Sequence, residues 1–347
     1  MKVGLFDHVD RSDRPLATQL DERLAFVQAA DEAGLYCYHV AEHHASPLNM
    51  VPVPGAYLGA VARLTKRIHL GPLVYLLPLY SPLRLIEEIV MLDHLSKGRL
   101  EVGIGRGVSP FELGYHKVAH EKSREIFLDA YACVKEGLTH DPFSYSGEFF
   151  TYKDVPMPLR PLQRPHPAFW YGSSNPGGAA WAGEQGMHFA TNGPTVRAKA
   201  NVDAYREALA KRGGPAQPKA EFKGGAAIGI SRQIVVADTD AEARRIAEPA
   251  SAHHHANLTY LKRLHAGDDL ADRLSVPTAN TFAEAMKEGT VIAGSPETVT
   301  AEIARQAREL GLTYLISYLF FGTMSLAEAL RSLQLFSTEV MPKLEGL

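Results

Sequence analysis

Three neighbouring side chains, Glu42-His43-His44, set a carboxylate beside two imidazoles. Such a group can move protons near neutral pH, because histidine is the side chain whose ordinary pKa lies there. With His39 the segment also spells H-x-x-E-H, a pattern that binds zinc when a helix brings both histidines to one face. Here the segment follows Gly34, which stops a helix, and it reads as a strand. Residues four apart in a strand lie roughly 13 Å from each other, too far to share one ion. The run His253-His254-His255 fails for another reason. Consecutive helical residues fan out around the axis, so these three are expected on a solvated face. No metal site is expected.

The second chemical feature is Gly172-Ser173-Ser174-Asn175-Pro176-Gly177-Gly178. Asn175 suits an N-cap and Pro176 the first helical position, so a helix begins there. Its free N–H groups and positive dipole end attract phosphate. Ser173 and Ser174 add hydroxyl donors, while Gly177 and Gly178 let a ligand approach the backbone. Arg106, within Gly103-Ile104-Gly105-Arg106-Gly107, could pair with the same phosphate through two hydrogen bonds. The blander reading is a capped helix beside an ordinary surface arginine. The glycines around Arg106 do not make a dinucleotide fingerprint, since Val108 stands where the third glycine is needed and Ser109-Pro110 follows. Nor is there a phosphate-binding Walker loop, a G-x-S-x-G elbow or a Cys/His nucleophile pair.

These residues need elements to bring them together. Val3 to Asp7 reads as a strand, and Leu16, Leu20, Leu24 and Val27 recur at helical spacing behind it. Strand patterns return at Leu35 to Ala41, Ile68 to Leu77, Leu100 to Ile104, Ala168 to Gly172, His188 to Thr191, Gly225 to Val236 and Thr313 to Tyr318. Helical patterns separate them, at 54–64, 81–95, 123–138, 176–186, 196–212, 241–257, 296–310 and 326–341. About eight βα units over this length predict one (β/α)₈ TIM barrel, an α/β fold spanning 1–347 as a single domain. Two stretches break the pattern. A Pro- and aromatic-rich excursion near 141–167 suggests a hairpin, and a mixed polar stretch near 258–290 suggests an insertion. In such a barrel the residues after each strand form the active-site rim, which is where Glu42-His43-His44, Leu73-Val74, Arg106 and the 172–178 loop fall.

Composition bounds the function. An apolar fraction of 46% against 22% charged residues predicts a packed core and argues against disorder. A formal net charge of -3 with no Lys/Arg run leaves no footprint for nucleic acid or an anionic membrane. No apolar run reaches the roughly 18 residues of a membrane span. Cys37 and Cys133 support neither a disulfide framework nor a four-cysteine zinc site, and fit a reduced, cytoplasmic chain.

Taken with their flanks, the rim residues resemble the bacterial-luciferase-like flavin monooxygenases. The resemblance runs in order through Tyr38 to His44, Arg67 to Gly71, Leu76-Leu77-Pro78, Leu92 to Leu100, Gly103 to Gly107, Arg160 to Pro167, Gly294 to Glu297 and Val340-Met341-Pro342. It implies a barrel that binds reduced FMN, supplied by a separate flavin reductase, and activates dioxygen as a flavin hydroperoxide. An aldehyde, ketone or similar small organic substrate would then be oxidised. By motif match His43 takes the catalytic role in proton transfer, and Glu42 and His44 beside it are expected to contact the cofactor. Arg106, Ser173, Ser174, Asn175, Gly177 and Gly178 fall on the flavin-phosphate site. Leu73-Val74 falls where the family has a non-proline cis peptide beneath the flavin, and 258–290 on a lid. A homodimer is the expected assembly. Gly105 and Ser174 depart from the light-emitting subunit, which has a cysteine and an acid there, and this argues against light emission. Three other readings remain at this stage: a deazaflavin-dependent hydride-transfer enzyme of the same fold, a non-catalytic flavin-binding subunit, and an unrelated barrel lyase or hydrolase acting on a phosphorylated substrate.

Overall fold

The computed structural model describes residues 1–266 and 281–347. The first half of the chain runs β1 (Lys2–Asp7), α1 (Leu16–Glu32), β2 (Cys37–Val40), α2 (Pro54–Leu64), β3 (His69–Pro72), β4 (Tyr75–Leu76), α3 (Pro82–Leu95), β5 (Val102–Gly105), α4 (Pro110–Tyr115) and α5 (Ser123–Thr139). A hairpin of β6 (Phe143–Ser146) and β7 (Thr151–Val155) follows, then β8 (Phe169–Gly172), α6 (Pro176–Gln185), β9 (His188–Thr191) and α7 (Thr195–Arg212). The last part holds β10 (Ile228–Val236), α8 (Asp240–Leu258), α9 (Tyr260–Leu264), α10 (Phe282–Lys287), β11 (Val291–Gly294), α11 (Pro296–Leu310), β12 (Tyr314–Tyr318) and α12 (Leu326–Leu335).

All pairings in the main sheet are parallel, in the order β3-β2-β1-β12-β10-β9-β8-β5-β4. A parallel bridge from Leu70 to Leu100 joins the two ends, so β3 and β4 form one stave and the ring closes as the expected barrel. β11 lies beside the C-terminal half of the long β10, where β9 has already ended. Two apolar layers hold this up. Leu, Ile, Val and Ala side chains pack between barrel and helices, while Phe6, Ala41, Trp170, Phe222, Tyr314 and Ile316 fill the barrel interior. Near its lower end Glu101 is fully buried and accepts hydrogen bonds from Trp170 Nε1 (2.8 Å) and Lys219 Nζ. With that end plugged, the open space lies at the C-terminal ends of the strands.

Several elements differ from expectation, each for a physical reason. The run Ile68 to Leu77 is not one strand: it breaks at a cis Leu73–Val74 peptide, held by Leu73 N–H donating to the Val40 carbonyl (2.8 Å). On α1 the buried face is Gln19, Arg23, Phe26, Val27 and Ala30, and Leu16 is 49% exposed. Leu20 and Leu24 still pack on the core, and the buried face widens to include Arg23, which is drawn inward to the buried carboxylates of Asp7 (3.4 Å) and Asp10 (3.5 Å). The excursion at 141–167 contains the expected antiparallel hairpin. Of the stretch expected as an insertion, 267–280 lies outside the described residues, and its flanks form α9 and α10.

Candidate active site

A cavity of about 570 Å³ opens at the C-terminal end of the barrel. On one side lies the loop from β8 into α6. Asn175 caps α6, its Oδ1 accepting from Gly178 N–H at 2.9 Å, and Ser173 Oγ donates to the Asn175 carbonyl at 3.0 Å. A side chain at 178 would put its Cβ 2.4 Å from Ser173 Oγ, so it would push that hydroxyl from its place in the turn. Ser173, Ser174, Asn175 and Gly178 line the cavity, and so do Arg106, just after β5, and Arg124, in the first turn of α5. Neither guanidinium has a hydrogen-bond or ion-pair partner among the described residues. Burial raises the pKa of the Tyr171 phenol between them, and the two positive charges partly oppose that rise. Two unpaired cations lining one cavity with a helix N-terminus have the chemistry to hold a dianion.

The adjoining wall is apolar and comes from the broken stave. Leu73, Val74 and Leu76 face the cavity. The break fits against β5 only because that strand has glycines: a Cβ at Gly103 would lie 2.3 Å from the Pro72 carbonyl oxygen, and one at Gly105 would lie 2.4 Å from Val74 Cγ2. The spacing of Gly103 and Gly105 is thus a packing requirement of this wall.

The third wall carries the titratable groups. Glu42 is buried, with Oε1 2.8 Å from His44 Nε2 and Oε2 accepting from Leu76 N–H at 2.9 Å. It therefore fastens the apolar wall to the end of β2. His44 turns away from the cavity lining and sets its ring edge-on to His116, 4.5 Å between centroids. His44 and Gly177 are the two expected contacts that the structure does not bring to the cavity wall. His43 does line it. Its Nδ1 lies 3.2 Å from Glu112 Oε1, and Glu112 Oε2 accepts from His44 N–H at 2.9 Å. An ionised carboxylate only accepts, so Nδ1 carries a proton and Nε2 is the nitrogen left free. Burial draws the His43 pKa down, but the charge and hydrogen bond of Glu112, with Glu42 behind it, outweigh burial and raise it overall. Burial likewise pushes Glu112 up, and His43 more than reverses that, leaving Glu112 below its ordinary value. The pair therefore favours an imidazolium facing a carboxylate at the cavity edge.

Glu112, Arg124 and His254 were not identified from sequence. The signal for Glu112 was Ser109-Pro110-Phe111-Glu112, an N-cap, a first-turn proline and an acid at the third helical position. The expectation that His253-His254-His255 lies on a solvated face holds badly for the middle residue. His254 is 6% exposed and reaches the cavity, because α8 packs over the end of β10 with that residue inward. His39 sits inside the barrel with Nε2 2.9 Å from Tyr314 Oη, and burial brings its pKa down to about 3.

Residues 1–314 match the family model described as luciferase-like monooxygenase. The chain is 36% identical to the uncharacterized protein y4wF of Sinorhizobium fredii, over 99% of this chain and 97% of that one. It is 26% identical to 2,5-diketocamphane 1,2-monooxygenase 1 of Pseudomonas putida, over 99% of each chain. Among solved structures, the oxygenating constituent of 3,6-diketocamphane monooxygenase from Pseudomonas putida, a type II Baeyer–Villiger monooxygenase in complex with FMN, is similar with a TM-score of 0.81. That likeness is at 23% identity and covers 99% of this chain and 98% of the other.

Proposed function

The chain belongs to the luciferase-like monooxygenase family, and we propose that it uses reduced FMN and dioxygen to oxidise a small organic substrate, an aldehyde, ketone or similar compound. The observation that carries this reading is the pair of unpaired guanidiniums, Arg106 and Arg124, beside the N-terminus of α6, with the His43–Glu112 pair across the same cavity. The cofactor's phosphate would lie among Arg106, Arg124, Ser173, Ser174 and Gly178, and its ring system against Leu73, Val74 and Leu76. Reduced FMN, when bound, supplies the two electrons that activate dioxygen.

The chain's own residues then have distinct tasks. The phosphate wall holds and orients the cofactor. Glu42 keeps the apolar wall in place through Leu76 N–H. His43 holds a proton at the cavity edge, delivers it to oxygen as negative charge develops there, and takes one back to complete the cycle. Glu112 fixes the ring orientation and sustains its charge. The walls of Phe6, Ala41, Ile316 and Trp181 keep bulk water off the reacting oxygen. In this reading a separate flavin reductase provides the reduced cofactor, the chain works in the cytoplasm, and it forms a homodimer, which light scattering would check.

Titration of the purified protein with FMN, reduced FMN and a reduced deazaflavin tests the proposal. Tight binding of reduced FMN, lost when riboflavin replaces it, supports the phosphate wall and the cofactor together. Binding of the deazaflavin alone refutes the monooxygenase reading.

A further inference from the structure

A second carboxylate–imidazole pair, Asp10 and His254, stands at the same cavity, with His254 in its lining. Asp10, just after β1, is fully buried. Its carboxylate accepts from Gly322 N–H (3.2 Å), Asn257 Nδ2 (3.4 Å) and Arg23 Nη2 (3.5 Å), and lies 3.4 Å from His254 Nδ1. Burial pushes the Asp10 pKa up, but His254, Arg23 and the Gly322 N–H reverse that and hold it well below the usual carboxylate range. An ionised Asp10 accepts only, so it fixes the proton on His254 Nδ1 and leaves Nε2 to face elsewhere.

His254 lies where the first cavity meets a second one of about 540 Å³, and it lines both. Tyr318 and Ser231 share that junction. The His8 ring stands between the two histidine pairs, 5.4 Å from His43 and 5.1 Å from His254 between centroids. Burial drives His8 well toward its neutral form, helped by the charges of His254 and His43. Its Nδ1 is buried without a hydrogen-bond partner among the described residues. A buried polar atom left unpaired is costly unless a ligand or water completes it.

We infer that His254, oriented by Asp10, and His8 bind an oxygen atom of the organic substrate at the junction of the two cavities. They are positioning and specificity residues for the oxidation proposed above, and the inference rests on that reading for what occupies the phosphate side. The ligand chemistry is a carbonyl or hydroxyl oxygen of a small organic substrate. A protonated Nε2 would donate to a ketone, and an unprotonated one would accept from an alcohol.

The test uses three probes of one shape: norcamphor, norborneol and 2-methylenenorbornane, which keeps the frame and lacks the oxygen. Binding to the FMN-loaded protein is read from flavin absorbance, and the histidine rings are read by ¹⁵N NMR of labelled protein. The oxygen-bearing probes should bind at least about tenfold more tightly than the hydrocarbon and move the His254 and His8 ring signals. His254→Leu should bring that ratio close to one while FMN affinity stays in place, and His254→Gln should keep part of it. A ketone preference identifies a donor Nε2, and an alcohol preference an acceptor. Equal affinity for all three probes in the wild type, or ring signals that do not move, overturns the inference even where a variant fails to fold. If FMN itself does not bind, the cofactor reading falls alone, because the same spectra on the cofactor-free protein still decide the oxygen site.

Discussion

Replacing Glu112 by Gln isolates what the carboxylate does for His43. The amide keeps an oxygen to accept from His44 N–H, now accepted at 2.9 Å, so the turn after β2 should survive. What goes is the charge 3.2 Å from His43 Nδ1. With it goes the force that opposes burial, so the His43 pKa should fall below its ordinary value. A charge-assisted hydrogen bond contributes about 1.5–3 kcal/mol. Since the His43 side chain is 21% exposed, the lower half of that range applies to the lost interaction, and the direction of the move is downward. The same pair also governs stability. A raised histidine pKa contributes fully below its unfolded value of about 6.5 and loses that contribution as pH rises through the folded value. The lowered Glu112 contributes above its unfolded value of about 4.3 and loses this as pH falls through its folded value. Wild type should therefore exceed Glu112→Gln in urea stability most between about pH 4.5 and 6.5, and the gap should narrow at about pH 9. The functional assay is stopped-flow reoxidation of bound reduced FMN across pH, which needs no organic substrate. Its histidine-dependent limb should move to lower pH in the variant. A limb that stays in place, or a stability gap that is constant with pH, refutes the assigned role.

Three further outcomes follow from the same geometry. His43→Ala should leave FMN binding intact and slow substrate oxidation by about 10²–10⁴-fold, so unchanged turnover would remove its catalytic role. Arg106→Ala and Arg124→Ala should each weaken FMN binding by about tenfold or more without altering riboflavin affinity, which calorimetry can compare directly. Equal losses for both ligands would place the phosphate elsewhere. Gly105→Ala puts a methyl 2.4 Å from Val74 Cγ2, so it should cost about 1–3 kcal/mol in urea unfolding and weaken flavin binding through the displaced wall. A neutral result would mean that the wall moves freely.

The barrel was legible because its parallel staves are buried on both faces and so carry near-continuous apolar runs, punctuated by caps such as Asn175-Pro176 and stops such as Gly186. The same burial hid the break at Leu73–Val74 from apolar periodicity, and only the family resemblance marked it. An apolar run says that a segment is inside and nothing about where it turns; the record of the turn lies on the neighbouring strand, in Gly103 and Gly105. On α1 apolar periodicity found Leu20, Leu24 and Val27, which pack on the core, but missed Gln19 and Arg23, since the pull of Asp7 and Asp10 on Arg23 acts between residues that only the closed ring brings together. His254 meets Asp10 in the same way, across 244 residues of chain.

Glu112 shows why some of the site stayed out of reach of pattern alone. The chain holds Thr281-Phe282-Ala283-Glu284, Ser325-Leu326-Ala327-Glu328, Ser109-Pro110-Phe111-Glu112 and Thr239-Asp240-Ala241-Glu242, four copies of one helix-start signature, and in the last Glu242 pairs with Arg245 of its own helix at 2.8 Å. In the first two the glutamate folds back onto the backbone N–H of its own cap and completes the box. At the third, Ser109 still accepts from Glu112 N–H at 3.3 Å, but the carboxylate leaves the cap and reaches His43 and the His44 N–H instead. Local sequence cannot separate these cases, since the choice depends on which donors stand opposite. α4 begins just past the end of β5, opposite the histidines that follow β2, and there the capping acid has a stronger partner across the rim. An acid at that position in a barrel helix that starts within a few residues of its strand is therefore a candidate for the site before it is a cap.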